Sequence, residues 1–221
     1  MYVPRHFAMD DDELTALVRA VGAADFVTVG PDGTPESSLL PVLLDLGRGV
    51  AIAHMARANP QWTHLPVAGS PALAIVSAPQ AYVSPSWYAS KVEHGRVVPT
   101  WNYSAVHLTG VVTVHDDLEW VRAMVTALSV AHEGHRPVPW TIEDAPAAFI
   151  EGQLRAIVGI ELQLESVTGK AKLSQNRSQA DRAGVVAGLA AERTSSADGV
   201  AASMRSIAGP GRSFDGRAGR D

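Results

Sequence analysis

The chain has 221 residues, is 46% hydrophobic and 19% charged, and carries a formal net charge of −5. This is enough apolar material for one large domain, or for a small domain with appendages, and it excludes a chain disordered throughout. With no cysteine, disulfides, thiolate catalysis, iron–sulfur clusters and cysteine-ligated zinc are ruled out, and the acidic balance argues against a general nucleic-acid-binding surface.

In "MYVPRHFAMDDDEL" no basic head precedes an apolar stretch, so it does not read as a signal peptide. No apolar run approaches the ~20 residues of a membrane span. A cytoplasmic location without membrane association is therefore expected. "DDDELTALVRAV" predicts a helix over 10–21, with aspartates at its positive end, Leu14, Leu17, Val18 and Val21 on one face, and Gly22 as a stop. Strand signals follow. "FVTVG" and "PESSLLPVLLD" flank the turn "PDGT"; "VAIAHM" comes after "LGRG"; and "ALAIVS" covers 72–77. Pro60 in "ARANPQWTHL" suits the first turn of a short helix.

The window 81–107, "AYVSPSWYASKVEHGRVVPTWNYSAVH", holds Tyr82, Trp87, Tyr88, Trp101 and Tyr103 among prolines, glycines and charges. Trp87, Tyr88, Trp101 and Tyr103 suit the wall of a cavity for a planar ring, a subunit interface, or a cover for one end of a barrel. "VHLTGVVTVH" predicts a strand over 106–115. Residues 117–132 predict an amphipathic helix with Leu118, Val121, Val125, Leu128 and Ala131 on one face. "IVGIELQLESV" alternates Val158, Ile160, Leu162 and Leu164 with glycine and polar residues, as a strand with one buried face does. A helix is expected at about 179–189. Six strands joined by short turns favour an antiparallel barrel over an alternating strand–helix sheet.

Three polar blocks invite functional readings. His132 and His135 of "HEGH" lie three apart, but Gly134 marks the end of a helix, so capping histidines are preferred to a metal pair and no metal is expected. "HMARANP" places Arg57 and Asn59 near a helix start, a set that suits either a phosphate or an ordinary turn. "GKAKLSQNRSQADRAG" reads as a polar ligand loop, a nucleic-acid-contacting loop, or a solvated connection; no paired helix precedes it as a helix-turn-helix requires.

"MYVPRHF", "RANPQW", "AYVSPSWY", "VPTWNY", "VHLTG", "IVGIEL" and "GKAKLSQN" succeed one another in the order seen in the PaiB family. Over about residues 1–189 the chain resembles that family, described as FMN-binding negative transcriptional regulators. The resemblance implies a mainly β fold with peripheral helices, a six-stranded antiparallel split β-barrel, and FMN held between the subunits of a homodimer. It further implies Arg57 and Asn59 at the FMN phosphate, and Ser38, Leu39, Pro41, His54 and Ala56 along the ring and ribityl chain. Lys172, Ser174, Gln175 and Asn176 would complete the site. The tail 190–221, rich in Gly, Ser, Ala and Arg, departs from the family and is expected to be disordered.

Three functions stay open at this stage. One is a PaiB-like regulator, with DNA contact unsupported by charge. The second is an FMN-dependent oxidoreductase. The third is a haem-binding split barrel with His54 or His107 as axial ligand.

Overall fold

A computed structural model describes residues 1–65 and 69–207. The described chain divides into two compact units, one of residues 1–3, 9–77 and 105–169, the other of 4–8, 78–104 and 170 onward. Seven strands occur in chain order: β1 (Ala23–Val29), β2 (Pro35–Asp45), β3 (Val50–Ala56), β4 (Ser70–Ser77), β5 (Ala81–Val83), β6 (Thr100–His115) and β7 (Ile157–Lys172).

In the first unit the strand order is β4-β1-β2-β3-β7-β6, and β4 pairs again with β6, which closes a ring of six. The β1–β2, β1–β4, β2–β3, β3–β7 and β4–β6 ladders are antiparallel. These six are the strands that the apolar runs and turn signals predict. Inside the ring, Phe26, Leu40, Met55, Leu108 and Ile160 form a common apolar core. Helix α1 (Asp11–Val21) adds Leu14 and Val18 to it. Its start is fixed by a capping box, in which the Asp10 carboxylate accepts from the Glu13 N–H at 2.9 Å and Glu13 accepts from the Asp10 N–H at 3.0 Å.

A second apolar layer lies on the outer side of β3 and β7. Helices α3 (Leu118–Glu133) and α4 (Ala147–Arg155) bring Val121, Met124, Leu128, Ile150 and Leu154 together with Ile52 and Ile157. The buried stripe of α3 is thus Val121, Met124 and Leu128, whereas the expected Leu118 is exposed. Gly159 is where the strand accepts this cover most closely, since a methyl group there would run into the Trp120 ring.

The second unit contains β5, the short helix α2 (Ser90–His94), the start of β6, and helices α5 (Gln179–Ala191) and α6 (Ser195–Ser206). The expectation of disorder from residue 190 is overturned over 195–206, which form α6. Ala197, Val200, Ala201 and Met204 are buried in it, at spacings of three, one and three residues along a single face. Burying an apolar side chain contributes about 1.5–3 kcal/mol for residues the size of Val or Met. Val200 and Met204 are two such positions, Ala197 and Ala201 add smaller contributions, and Thr194 caps the helix at 3.2 Å through Ala197 N–H. Together they oppose the ordering entropy that composition alone leaves unmet. The last part of the expected tail, 208–221, lies outside the described residues.

Candidate functional site

Ser38 and Leu39 adjoin in sequence and face opposite ways on β2. Ser38 shares its side with Leu40 and Val42, which point into the barrel. There it joins a polar plug built on Gln61. Asn59 Nδ2–H donates to Ser38 Oγ at 2.8 Å, and the Ser38 hydroxyl donates to Gln61 Oε1 at 2.6 Å. Gln61 Nε2–H donates to Phe26 O at 3.1 Å and to Thr28 Oγ1 at 2.9 Å. Asn59 also caps the short helical turn Pro60–His64, its Oδ1 accepting from Gln61 N–H at 3.0 Å. Beside it His64 Nδ1–H donates to the Glu36 carboxylate at 2.9 Å. The hydrogen bonds of Ser38 and Asn59 therefore close one another inside the chain.

Leu39 and Pro41 lie on the outer side of the sheet. The registers align Leu39, Asp25, Ile75 and His107 in one row across β2, β1, β4 and β6, with Ser37, Val27, Leu73 and Thr109 in the next. Leu39 is 71% exposed and Val29 57%, so two aliphatic side chains of a closed barrel face outward. Burial, aided by the charge of the N-terminal ammonium, holds His107 below its ordinary pKa, so the imidazole in this row is neutral near pH 7.

His54 belongs to a third location. It is on the outer side of β3, opposite Gly159 of β7, and its buried Nδ1 has no hydrogen-bond partner. Burial pushes its pKa down. Ala56 ends β3 exposed. The Arg57 guanidinium forks onto the Asp116 carboxylate, while its Nε–H donates to Arg155 O at 2.7 Å and an Nη2–H to Ile157 O at 3.2 Å. The Asp116 hydrogen bond raises the arginine pKa, and the same bond lowers that of Asp116. Arg57 thus ties the end of β3 to the start of β7 and to Asp116, and most of its donors are committed there.

In the second unit, the "KLSQN" block forms the turn out of β7. Lys172 Nζ donates to Thr100 Oγ1 and to Trp101 O at 2.6 Å. Burial, then the charges of Lys170 and Arg177, lowers its pKa. Ser174 is buried at φ 64°, and Asn102 Nδ2–H donates to its Oγ at 3.0 Å. Gln175 folds back on the strand, Oε1 accepting from Leu173 N–H at 2.8 Å and Nε2–H donating to Ala171 O at 2.6 Å. Of this block only Asn176 is exposed without such a bond.

The aromatic window also separates by position. Tyr88 is 2% exposed, stands in the apolar core of this unit, and carries Arg177 4.8 Å above its ring. Tyr103 has Lys170 over its ring at 5.4 Å. Trp87 packs against α5 at Gly188, where a methyl group would enter the indole. Trp87, Trp101 and Tyr82 line a cleft of about 240 Å³ that also presents Glu192.

The candidate residues thus fall in separate places: a barrel plug (Ser38, Asn59), an open outer face (Leu39, Pro41), a helix-covered face (His54), a latch (Arg57) and a turn of the second unit. Gln61, Asp116, Asn102, Asp25 and Ile75 had not stood out in the sequence, and His107 had done so only as a haem-ligand candidate. The position of Gln61 beside Asn59 and Pro60 was the available signal for a capped, inward-facing turn. Among the described residues no helix is long and apolar enough to cross a membrane.

Residues 1–166 match the family described as "Putative FMN-binding domain". The Bacillus subtilis protein named "Protease synthase and sporulation protein PAI 2" is 30% identical over 207 residues, which cover 92% of this chain and 96% of that protein. Among solved structures, the conserved hypothetical protein Rv2991 from Mycobacterium tuberculosis is similar with a TM-score of 0.58 at 12% identity, over 80% of this chain and 92% of that one. The FAD and heme binding protein from Mycobacterium smegmatis gives 0.54 at 17% identity, over 76% and 74%. At these identities the two structures speak for the split-barrel fold alone. The chain belongs to the FMN-binding-domain family and is a PaiB-type member of it.

Proposed function

We propose that this protein is a PaiB-like negative regulator of transcription whose split barrel holds FMN at a homodimer interface, on the outer face of β2, β1, β4 and β6. One observation carries the reading. The rows Leu39–Asp25–Ile75–His107 and Ser37–Val27–Leu73–Thr109 give the ring an outward face that mixes aliphatic and polar side chains, with Leu39 mostly exposed. Such a surface suits a flat ring system and a second copy of the chain, both of which remove apolar area from water. Leu39, Pro41 and Val27 would supply van der Waals contact; Asp25, Ser37 and His107 would supply polar edges.

The fit is to the ring system. Arg57, the cation expected at the phosphate, and Lys172, expected to complete the site, already donate within the chain, so the phosphate would have to compete with Asp116 for the first. A bound flavin would supply reversible electron or hydride transfer; the residues here would bind it, orient it and exclude water.

The absorption spectrum of the purified dimer, followed by release and identification of its chromophore, is the first test. Flavin bands, released FMN and loss of both flavin and dimer mass in Leu39→Asp are expected. A colourless protein that takes up neither FMN nor FAD would refute the cofactor reading. A Soret band lost in His107→Ala would replace it with haem. Bleaching by a nicotinamide donor with turnover on an acceptor would favour an oxidoreductase, and absence of specific DNA retention together with unchanged repression on deletion would remove the regulatory role.

A further inference from the structure

Helices α5 and α6 of the second unit enclose a groove of about 430 Å³ lined by Gln179, Arg182, Ala183, Val186, Met204 and Arg205. It is larger than the clefts beside Trp120 and Trp101, at about 250 and 240 Å³, and falls in the size range of small-molecule sites. Both charged liners are arginines and no carboxylate joins them. Neither arginine takes part in an ion pair among the described residues. The nearest acid in sequence, Asp181, is occupied elsewhere, since its carboxylate accepts from Ser90 N–H at 2.9 Å and from the Ser90 hydroxyl at 3.0 Å.

The second observation is Arg182 Nε, which is buried and has no hydrogen-bond partner. A buried guanidinium N–H left without an acceptor is costly, and native proteins rarely keep one unless an ion, a water or a ligand meets it. Arg182 sits at the start of α5, where the helix dipole also favours negative charge. The apolar part of the lining, its floor, is made by Ala183, Val186 and the buried Met204.

We propose that this groove binds a small anion with an apolar body: a carboxylate or phosphate monoester whose oxygens meet Arg182 and Arg205 and whose aliphatic chain lies on Val186 and Met204. A free inorganic anion would leave the floor wet, and an aliphatic cation would face two like charges. None of its residues is among those assigned to the flavin, so failure of this proposal and failure of the flavin reading are read out separately.

Isothermal titration of the full chain, as purified, with hexyl phosphate, hexanoate, inorganic phosphate and hexylamine tests the proposal. One equivalent of hexyl phosphate or hexanoate per chain is expected to bind, whichever headgroup is preferred, with hexylamine silent and inorganic phosphate weaker. Arg182→Gln should weaken the anion about tenfold or more, as loss of a charge-assisted hydrogen bond does. Arg205→Gln, on an exposed helix end where folding is undisturbed, should weaken it as well, and flavin content should be unchanged in both. Three results would overturn the proposal: no heat with either alkyl anion, equal affinity in the Arg182→Gln, Arg205→Gln double variant, or inorganic phosphate binding as tightly as hexyl phosphate.

Discussion

Replacing Gln61 by leucine separates a structural role for the "RANPQW" block from a ligand-binding one. Gln61 is 3% exposed and Thr28 2%. The substitution strands the Phe26 carbonyl and the Thr28 hydroxyl, which now receive the Gln61 amide at 3.1 and 2.9 Å. A stranded buried group costs about 1–3 kcal/mol. The added apolar surface of leucine returns about 1 kcal/mol, so the net loss is about 3 kcal/mol. For a chain of this size that lowers the midpoint of thermal unfolding by about 6–12 °C. Ser38 keeps its bond from Asn59, so the plug loosens without losing every contact. Circular-dichroism melts of wild type and Gln61→Leu, with flavin affinity measured on the folded variant at low temperature, provide the assay. A midpoint within about 2 °C of wild type, accompanied by a selective loss of flavin, would show that the plug is a ligand set and would refute the reasoning.

Arg57→Ala should cost about 1–2 kcal/mol, because its partner Asp116 is largely exposed and the carbonyl bonds carry most of the effect. FMN and riboflavin affinities should change together; a loss confined to FMN would make Arg57 a phosphate ligand. His54 contributes a pH dependence. Its folded pKa is depressed by burial, so the unfolded chain takes up the proton first and stability falls as pH drops through the ordinary imidazole range, about 6.5, with no contribution above it. Urea unfolding across that range should have a shallower pH slope in His54→Leu, and identical slopes would place His54 in solvent.

The six ring strands were legible because short apolar, β-prone runs from "FVTVG" to "VHLTGVVTVH" stand between clear turn residues, and "IVGIELQLESV" adds a strict alternation. The three-residue β5 was not, since Ala81–Val83 is too short for any period to register. Helix α4 was hidden by alanines and by Gly152 within Ala147–Arg155, and only its packing of Ile150 and Leu154 reveals it. Helix α6 was lost to composition, although Ala197, Val200, Ala201 and Met204 carry the helical period. Reading small residues as linker was the error. At the candidate site, residue type was a fair guide to polarity and a poor guide to direction. Ser38 and Leu39 show why: in a strand, neighbours serve opposite faces, so a motif of consecutive residues cannot form one contact surface. Arg57 shows a second reason, because the carboxylate that claims it lies 59 residues away.

The β4–β6 ladder, which runs through eight residue pairs from Ser70↔Val112 to Ser77↔Ala105, has a consequence for how this molecule can meet others. Among the described residues each strand of the ring has a ladder partner on both sides, so none offers a wholly unpaired edge of N–H and C=O groups to a foreign strand. A protein that joins the ring is therefore met chiefly by side chains on its outer surface. Main-chain bonding is largely indifferent to sequence, whereas a side-chain surface changes with every substitution. Closure therefore places the choice of partner under the control of a few outward positions such as Leu39 and Val29 and guards the barrel against sheet-to-sheet aggregation.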